Sequence, residues 1–422
     1  RYDPTYEEQG LDYPIGYVRW TENRNMSEFL RQVGEQKIQI EPLISNIFDV
    51  DDAPAAYASL TGGPGVATLL RYPTGNSAAA AATVQWMPSQ AAPVAAGTIN
   101  LALVGPGGFT QAVHLPNIEK TEGLAVRAIV SRTGLTAQQI ARHTKAAYAT
   151  TSLPDALADG EVNAVFIATR HNLHAEQAIA AARAGKHIFV EKPMGMTLDE
   201  CAAVMQAVQS ANVSLMVGFN RRFSPLVTPL KDALQQRTGP AMLHYRVNAG
   251  ALPRTHWAVD PVEGGGRIIG EGVHFFDLLA YLLDSEPVSV FAQAISGASG
   301  DTIGDDNVLV TLKFTDGSTA ALTYVCVGHT GMGKERLEAW FDGKSALLDD
   351  YRRLEMFGIP GAENITLKQT DKGHAAELRH FAESLRAGRL PHPGPQDGYR
   401  ATLCAVKALE SLRTGQAVLL TP

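Results

Sequence analysis

The sequence predicts an α/β chain in which a parallel sheet with crossover helices is followed by an α+β domain with an open-faced antiparallel sheet. Three observations predict it. Short apolar runs alternate with helical stretches through residues 99–217, the pattern of right-handed βαβ units. A glycine-rich turn stands directly after the first of those runs. Beyond about residue 220 the runs lengthen and alternate in polarity, and turns such as Thr315-Asp-Gly-Ser318 and Asp342-Gly343 separate them, as in hairpins with one face on a core and one open.

Composition bounds the function. The 422 residues are 45% hydrophobic, enough to bury two or three cores. Lys and Arg number 36 against 43 Asp and Glu, a net charge of −7, and no basic run appears. That argues against a nucleic-acid partner and for a small neutral or polar ligand. Cys201, Cys326 and Cys404 are odd in number and far apart, which excludes reading a disulfide framework or a cysteine zinc cluster and leads us to expect reduced thiols in a cytoplasmic protein. No apolar run reaches the roughly 18 residues of a membrane span. The chain opens on Arg1, as expected of a fragment or a processed product.

Taken in order, the tyrosine-rich segment 1–20 carries no pattern. Asn25 and Glu28 read as a capping pair ahead of Met26, Phe29, Leu30 and Val33 on one helical face. A second short helix is expected over 52–60 and a plain turn at 61-TGGPG-65. Residues 1–75 are too few in elements to close a core. Residues 76–98 have the Ala, Ser, Pro and Gly content of a linker. The expected division is therefore 1–75, a linker over 76–98, a sheet domain over 99–220, and a second domain over 221–422.

Within the third segment, 99–104, 124–130, 164–169, 187–190 and 213–217 read as buried strands. Helices over 135–145, 174–185 and 198–211 separate them, the last opened by Thr197 with Glu200 three residues on. In an open parallel sheet, ligands bind beyond the carboxyl ends of the strands. Those ends carry 105-GPGGFT-110, Ser131-Arg132, Thr169-Arg170-His171, Glu191-Lys192-Pro193 and 218-GFNRRF-223. Gly105, Gly107, Gly108 and Phe109 stand where a backbone approaches a pyrophosphate at a helix N-terminus, with Thr110 in the place of a third glycine. This is a Rossmann arrangement. Glu191 and Lys192 are then held at the rim of a cleft by a stiff strand and a proline of fixed φ. In the second domain, three glycines at 264–266 lead into a strongly apolar helix on which Glu271, His274 and Asp277 share a face. A polar stripe on so apolar a helix faces a partner or a pocket.

On these motifs, with Thr169 and His174, 191-EKP-193, 264-GGGRIIGEGVH-274 and 373-GHAAELRHF-381, residues 99–415 resemble the Gfo/Idh/MocA oxidoreductases, the glucose-fructose oxidoreductase and inositol dehydrogenase group. The resemblance implies an N-terminal Rossmann domain, a nicotinamide cofactor and an open sheet that joins subunits into a homo-oligomer. Its lysine falls on Lys192 and its histidine on His274. Many relatives place an aspartate four residues before that histidine, where this chain has Gly270. The stretch 25–60 is similar instead to the tail of a zinc-type medium-chain alcohol dehydrogenase, as in bidomain oxidoreductases. The part that would carry zinc ligands is not in this sequence, so no metal is assigned.

The chemistry so implied is hydride transfer between a secondary alcohol of a sugar, cyclitol or nucleotide sugar and NAD(P). His274 is expected as general base and Lys192 as stabiliser of the developing oxyanion, or as base if burial lowers its pKa. His174, Arg222, Glu271 and Asp277 are secondary candidates for the substrate side. The cofactor contacts are expected from Gly105, Gly107, Gly108, Phe109, Ser131, Arg132, Thr169, Glu191, Lys192 and Pro193. Ser131-Arg132, with no carboxylate at the second strand end, favours NADP. Two other classes remain open, a lyase or glycosidase working by transient oxidation and a catalytically silent cofactor-binding sensor.

Overall fold

A computed structural model describes residue 13 and residues 17–60, 66–72, 97–296 and 306–420. The expected turn at 61–65 and most of the expected linker lie outside them. The chain divides into two compact units, Arg1–Ala80 and Ala81–Pro422.

The first unit holds α1 (Glu22–Gly34), β1 (Ile44–Asp49), α2 (Ala53–Ser59) and β2 (Ala67–Arg71), and its two strands pair in parallel. The expected capping pair is corrected: α1 starts one turn earlier, at Thr21, whose hydroxyl accepts from the Arg24 amide at 3.3 Å. Asn25 is already inside the helix, donating its amide to the Thr21 carbonyl. Met26, Phe29 and Leu30 are exposed.

The second unit begins with a six-stranded parallel sheet. Its strands are β3 (Ile99–Val104), β4 (Leu124–Val130), β5 (Tyr148–Thr150), β6 (Ala164–Ile167), β7 (His187–Val190) and β8 (Leu215–Val217), in spatial order β5-β4-β3-β6-β7-β8. Crossovers run through α3 (Leu115–Lys120), α4 (Gly134–Thr144), α5 (Leu153–Ala158), α6 (His174–Arg183) and α7 (Leu198–Ala211). The central strands are buried on both faces, which is why they read as unbroken apolar runs. The capping box at the start of α7 is present: the Glu200 amide donates to Thr197 Oγ1 at 3.2 Å and the Thr197 amide to the Glu200 carboxylate at 3.1 Å.

After α8 (Val227–Gln235) the chain builds a nine-stranded sheet. Its strands are β9 (Met242–Asn248), β10 (Pro287–Ala294), β11 (Val308–Phe314), β12 (Thr319–Val325), β13 (Glu335–Phe341), β14 (Lys344–Asp349), β15 (Arg353–Phe357), β16 (Ile365–Thr366) and β17 (Val418–Leu419). The expectation of a purely antiparallel sheet is corrected at one pair, because β9 and β12 run parallel. Strand direction across a pair leaves no trace in local polarity. One face packs on α9 (Val273–Leu283) and α11 (Pro395–Thr414); the other is open, and Met242 faces Trp340 across it with both side chains exposed. The helix α10 (His374–Arg386) comes from the chain's last third, yet its Leu378, Phe381 and Ala382 pack with Leu101, Leu103, Phe166, Phe189 and Met216 of the parallel sheet.

Candidate active site

The carboxyl ends of β3, β6, β7 and β8 meet the start of α9 and the loop before it. Gly105 has φ +75°, and a Cβ there would lie 2.4 Å from Thr169 Cγ2 and 2.7 Å from its Cα. Only glycine permits the end of β3 to press against the end of β6 in this way. Gly107 and Gly108 differ: a Cβ on Gly107 meets only the Gly105 carbonyl at 4.0 Å, and one on Gly108 meets nothing within 4 Å. The space above them is open, and a continuous helical stretch begins at Gly108 with its first N–H groups facing that space. These residues fit the pyrophosphate of a dinucleotide. Phe109 is exposed beside it, and Ser131 and the exposed Arg132 follow the end of β4.

Past Gly108 the helix widens into a π turn over Thr110–His114. His114 is fully buried, and its Nε2 lies 2.6 Å from Glu191 Oε1. Burial works to raise the Glu191 carboxyl, but the hydrogen bond to His114 and the charges of His114 and Lys192 outweigh it and hold it at about 2. Glu377 of α10 approaches the same pair, with ligand-type atoms of all three within 4.8 Å of one another. Both Glu377 oxygens are sealed from solvent without a hydrogen bond. Burial, reinforced by Glu191, pushes this carboxyl well above the usual range and keeps it protonated. The Nε2–Oε1 distance is that of a short hydrogen bond, so the three form a polar cluster beneath the rim. His374 sits against it, its ring 6.0 Å from that of His114, and is pushed down to about 4 by burial and by His114.

Lys192 follows Glu191 and is joined to Pro193 by a cis peptide bond. Its Nζ donates to the Gly270 carbonyl at 3.0 Å. Desolvation lowers its pKa from the ordinary lysine value, against the opposing charges of Glu191 and Glu271. His274 is 7% exposed, with Nδ1 buried and unpartnered. Burial first, then Arg221, Lys192 and His374, push its pKa well below the imidazole value. The ring is therefore neutral, the form that accepts a proton, and a weaker base than an ordinary imidazole.

The secondary candidates divide. Glu271 accepts from Tyr324 at 2.6 Å, Arg267 at 2.9 Å and Lys334 at 2.8 Å, and the two cations hold it at about 2 although burial raises it. Asp277 makes no hydrogen bond to His274 and takes a two-pronged contact from Arg222 Nε and NH2, at 2.8 and 2.5 Å. Burial pushes it up to about 6 in spite of that partner. Arg222 also reaches Asp397 at 2.8 Å, so this pair ties the single helical turn Asn220–Phe223, α9 and α11 together rather than presenting free groups. His174 is buried, with Nδ1 2.8 Å from the Pro193 carbonyl and Nε2 3.1 Å from that of Thr169. Its contacts link the end of β6 to the residue just past Lys192 at the end of β7.

Four neighbours of the site were not named as site residues: His114, His171, and His374 and Glu377, although the last two belong to the quoted stretch 373-GHAAELRHF-381. His114 lies 77 residues from its partner Glu191, and such a pairing is made by the fold alone. A hint existed for His171, which belongs to the strand end 169–171. It is 7% exposed and its Nδ1 is 2.8 Å from the Gly264 carbonyl.

A parallel sheet with a glycine turn open to a pyrophosphate, beside a buried lysine and histidine, defines a dinucleotide-dependent oxidoreductase. Residues 99–219 match the family model described as the oxidoreductase family, NAD-binding Rossmann fold, and residues 239–420 match its C-terminal alpha/beta domain. The chain belongs to the Gfo/Idh/MocA oxidoreductase family. It is 27% identical over 327 residues to inositol 2-dehydrogenase of Rhizobium meliloti, covering 75% of this chain and 97% of that protein. It is 27% identical over 295 residues to myo-inositol 2-dehydrogenase of Thermotoga maritima, covering 62% and 81%. Among solved structures, levoglucosan dehydrogenase in complex with NADH and levoglucosan superposes with a TM-score of 0.69 at 23% identity over 77% of this chain and 100% of that one. This last likeness is one of fold.

Proposed function

We propose that the chain is an NAD(P)-dependent dehydrogenase that oxidises a secondary alcohol of a sugar, cyclitol or nucleotide sugar, or reduces the corresponding ketone. The observation that carries the reading is Lys192, depressed in pKa and bonded to Gly270, set with the buried His274 beside a glycine turn open to a dinucleotide. The names of the relatives, acting on inositols, point to the same class of substrate. Nicotinamide, when bound, accepts the hydride of the alcohol C–H.

The geometry favours exchanging the two roles expected from the sequence. His274 Nδ1 is buried without a partner, and an orphaned N–H costs more than an orphaned lone pair whose ring can donate elsewhere. The proton then sits on Nε2, which donates to the reacting oxygen and stabilises its developing charge. The lowered pKa of Lys192 eases its deprotonation, and once deprotonated the amine keeps one N–H on the Gly270 carbonyl and has its lone pair free to take the hydroxyl proton. A panel of cyclitols, pyranoses and nucleotide sugars, followed at the absorbance band of reduced nicotinamide, tests the function; no turnover with any member, in either direction, refutes it.

Four further readings belong to the proposal. Arg132, exposed and without an ion pair among the described residues at the end of β4, supports acceptance of NADP. The exposed row of Phe357, Trp340 and Met242 on the open sheet supports a homo-oligomer through that face, which sedimentation would read as a mass above one chain. The first unit is the tail of a medium-chain dehydrogenase, supported by its parallel strand pair and by the exposed apolar stripe of α1. It is dispensable for folding of 99–422, so a truncated chain that aggregates or loses its unfolding transition would overturn that division. The free, buried Cys201, Cys326 and Cys404 support a cytoplasmic protein, which fractionation of the source cell would test.

A further inference from the structure

We infer that His171 is a substrate-specificity residue that accepts a hydrogen bond from a substrate hydroxyl other than the one being oxidised, and that position 270 is glycine because this imidazole occupies the space of its side chain. The inference deepens the dehydrogenase reading above and rests on it.

A Cβ built on Gly270 would lie 2.7 Å from His171 Cε1 and 3.1 Å from its Nδ1. No side chain fits there while the ring stays in place. The ring is held on three sides. Its Nδ1 lies 2.8 Å from the Gly264 carbonyl, Trp257 packs against it with centroids 4.8 Å apart and planes at 74°, and His174 lies 5.6 Å away at 63°. The loop that supplies Gly264 and Trp257 is itself fastened to this strand end. Asn172 donates its amide to the Glu263 carbonyl at 3.2 Å, and Arg170 pairs with the Glu263 carboxylate.

The Gly264 oxygen can only accept, so Nδ1 carries the proton. In a neutral ring Nε2 is then a lone-pair acceptor. Desolvation, with help from Lys192 and His174, keeps the ring neutral. Nε2 makes no hydrogen bond within the described residues and is not among the sealed, unpartnered atoms. An acceptor so fixed, next to the glycine whose carbonyl holds Lys192, calls for a donor on the ligand. A polyol supplies one in each hydroxyl that is not oxidised. A ligand with a carboxylate or carbonyl oxygen at that place would face it lone pair to lone pair.

The experiment compares wild type with His171→Leu, His171→Gln and Gly270→Ala in the full chain with cofactor bound. The probes are myo-inositol, D-glucose and levoglucosan, with the singly deoxygenated analogues of whichever is turned over. Steady-state constants are measured beside equilibrium affinity for each probe. In wild type, one deoxy analogue should lose about 10–100-fold in affinity and in kcat/KM, the range of a buried hydrogen bond left unmade. His171→Leu should lose a similar factor on the full substrate through KM and then be nearly indifferent to that same hydroxyl. His171→Gln, which keeps an acceptor oxygen, should recover part of the discrimination. Gly270→Ala, which displaces the ring, should behave as His171→Leu does. If His171→Leu does not fold, the other two variants carry the comparison. Equal losses for every analogue in wild type and variants would overturn the inference while leaving the dehydrogenase reading intact. Absence of turnover in wild type with all three probes and the wider panel would overturn both.

Discussion

The glycine turn permits one prediction in which neighbouring glycines of a single motif respond in opposite ways. At Gly105 the backbone has φ +75°, and a new methyl would lie 2.4 Å from a Thr169 methyl and 2.7–2.8 Å from Thr169 backbone atoms. A left-handed conformation costs a non-glycine residue about 1–2 kcal/mol, and forcing a methyl into a packed contact costs about 1–3 kcal/mol more. Gly105→Ala should therefore lose about 2–5 kcal/mol. At Gly107 the added methyl meets nothing nearer than 4.0 Å and φ is outside the left-handed region. Gly107→Ala should leave stability unchanged, or raise it by up to about 1 kcal/mol through the unfolded chain. Its cost falls on the ligand: the methyl stands where a pyrophosphate approaches the backbone, and about 1–3 kcal/mol of clash lowers cofactor affinity about 5–100-fold. Thermal and denaturant unfolding measure the first quantity, and titration of NAD(H) and NADP(H) against protein fluorescence the second. Unchanged stability in Gly105→Ala, or undiminished cofactor affinity in Gly107→Ala, would refute the reading of these two glycines.

Lys192→Ala and His274→Ala should each lower turnover by about 10² or more with cofactor affinity nearly intact; alcohol oxidation in wild type should rise with pH through the depressed Lys192 pKa, and survival of that limb in Lys192→Met would exclude the lysine as base. Glu271 is held at about 2 against a reference of 4.5, so its contribution is present above pH 4.5 and is lost as pH falls through 2; Glu271→Gln should cost up to about 3 kcal/mol at pH 7 and about half of that at pH 3, and a pH-independent difference would contradict it. Arg132→Ala should weaken NADP(H) by about 1.5–3 kcal/mol with little effect on NAD(H), whereas equal losses, or a strong wild-type preference for NAD(H), would remove Arg132 from the 2′ site.

The parallel sheet was legible because strands buried on both faces are apolar at nearly every position: Ile99–Val104, with Asn100 its one polar residue, and His187–Val190 keep the bounds that their apolar runs predicted. The helix Leu198–Ala211 was equally legible, since its capping box is a local device. Strand β5 was missed because Tyr148–Thr150 is three residues long and lies at the sheet's edge, too short for a periodicity. At the site, Lys192 and His274 announced themselves by residue type beside a strand end and on an apolar helix. What could not be read was their environment. The lowered pKa of His274 depends first on its burial and then on Arg221, Lys192 and His374, and the space at Gly270 depends on a ring about a hundred positions away in the chain.

The packing of α10 bears on how the molecule is made. By residue 217 every strand of the parallel sheet has been synthesised, yet one of its faces is completed by Leu378, Phe381 and Ala382, with Phe381 set edge-on to Phe189 at 5.6 Å. The β8 backbone likewise waits for Pro393, whose carbonyl accepts from the Val217 amide at 2.9 Å. On the ribosome, therefore, the nucleotide-binding half emerges first but stays unfinished, its apolar face open while more than 150 further residues are added. Closing so long a loop makes this contact a late event in folding. During that interval the apolar face of the sheet stays uncovered, and an uncovered apolar face is where a partly folded chain is prone to aggregate.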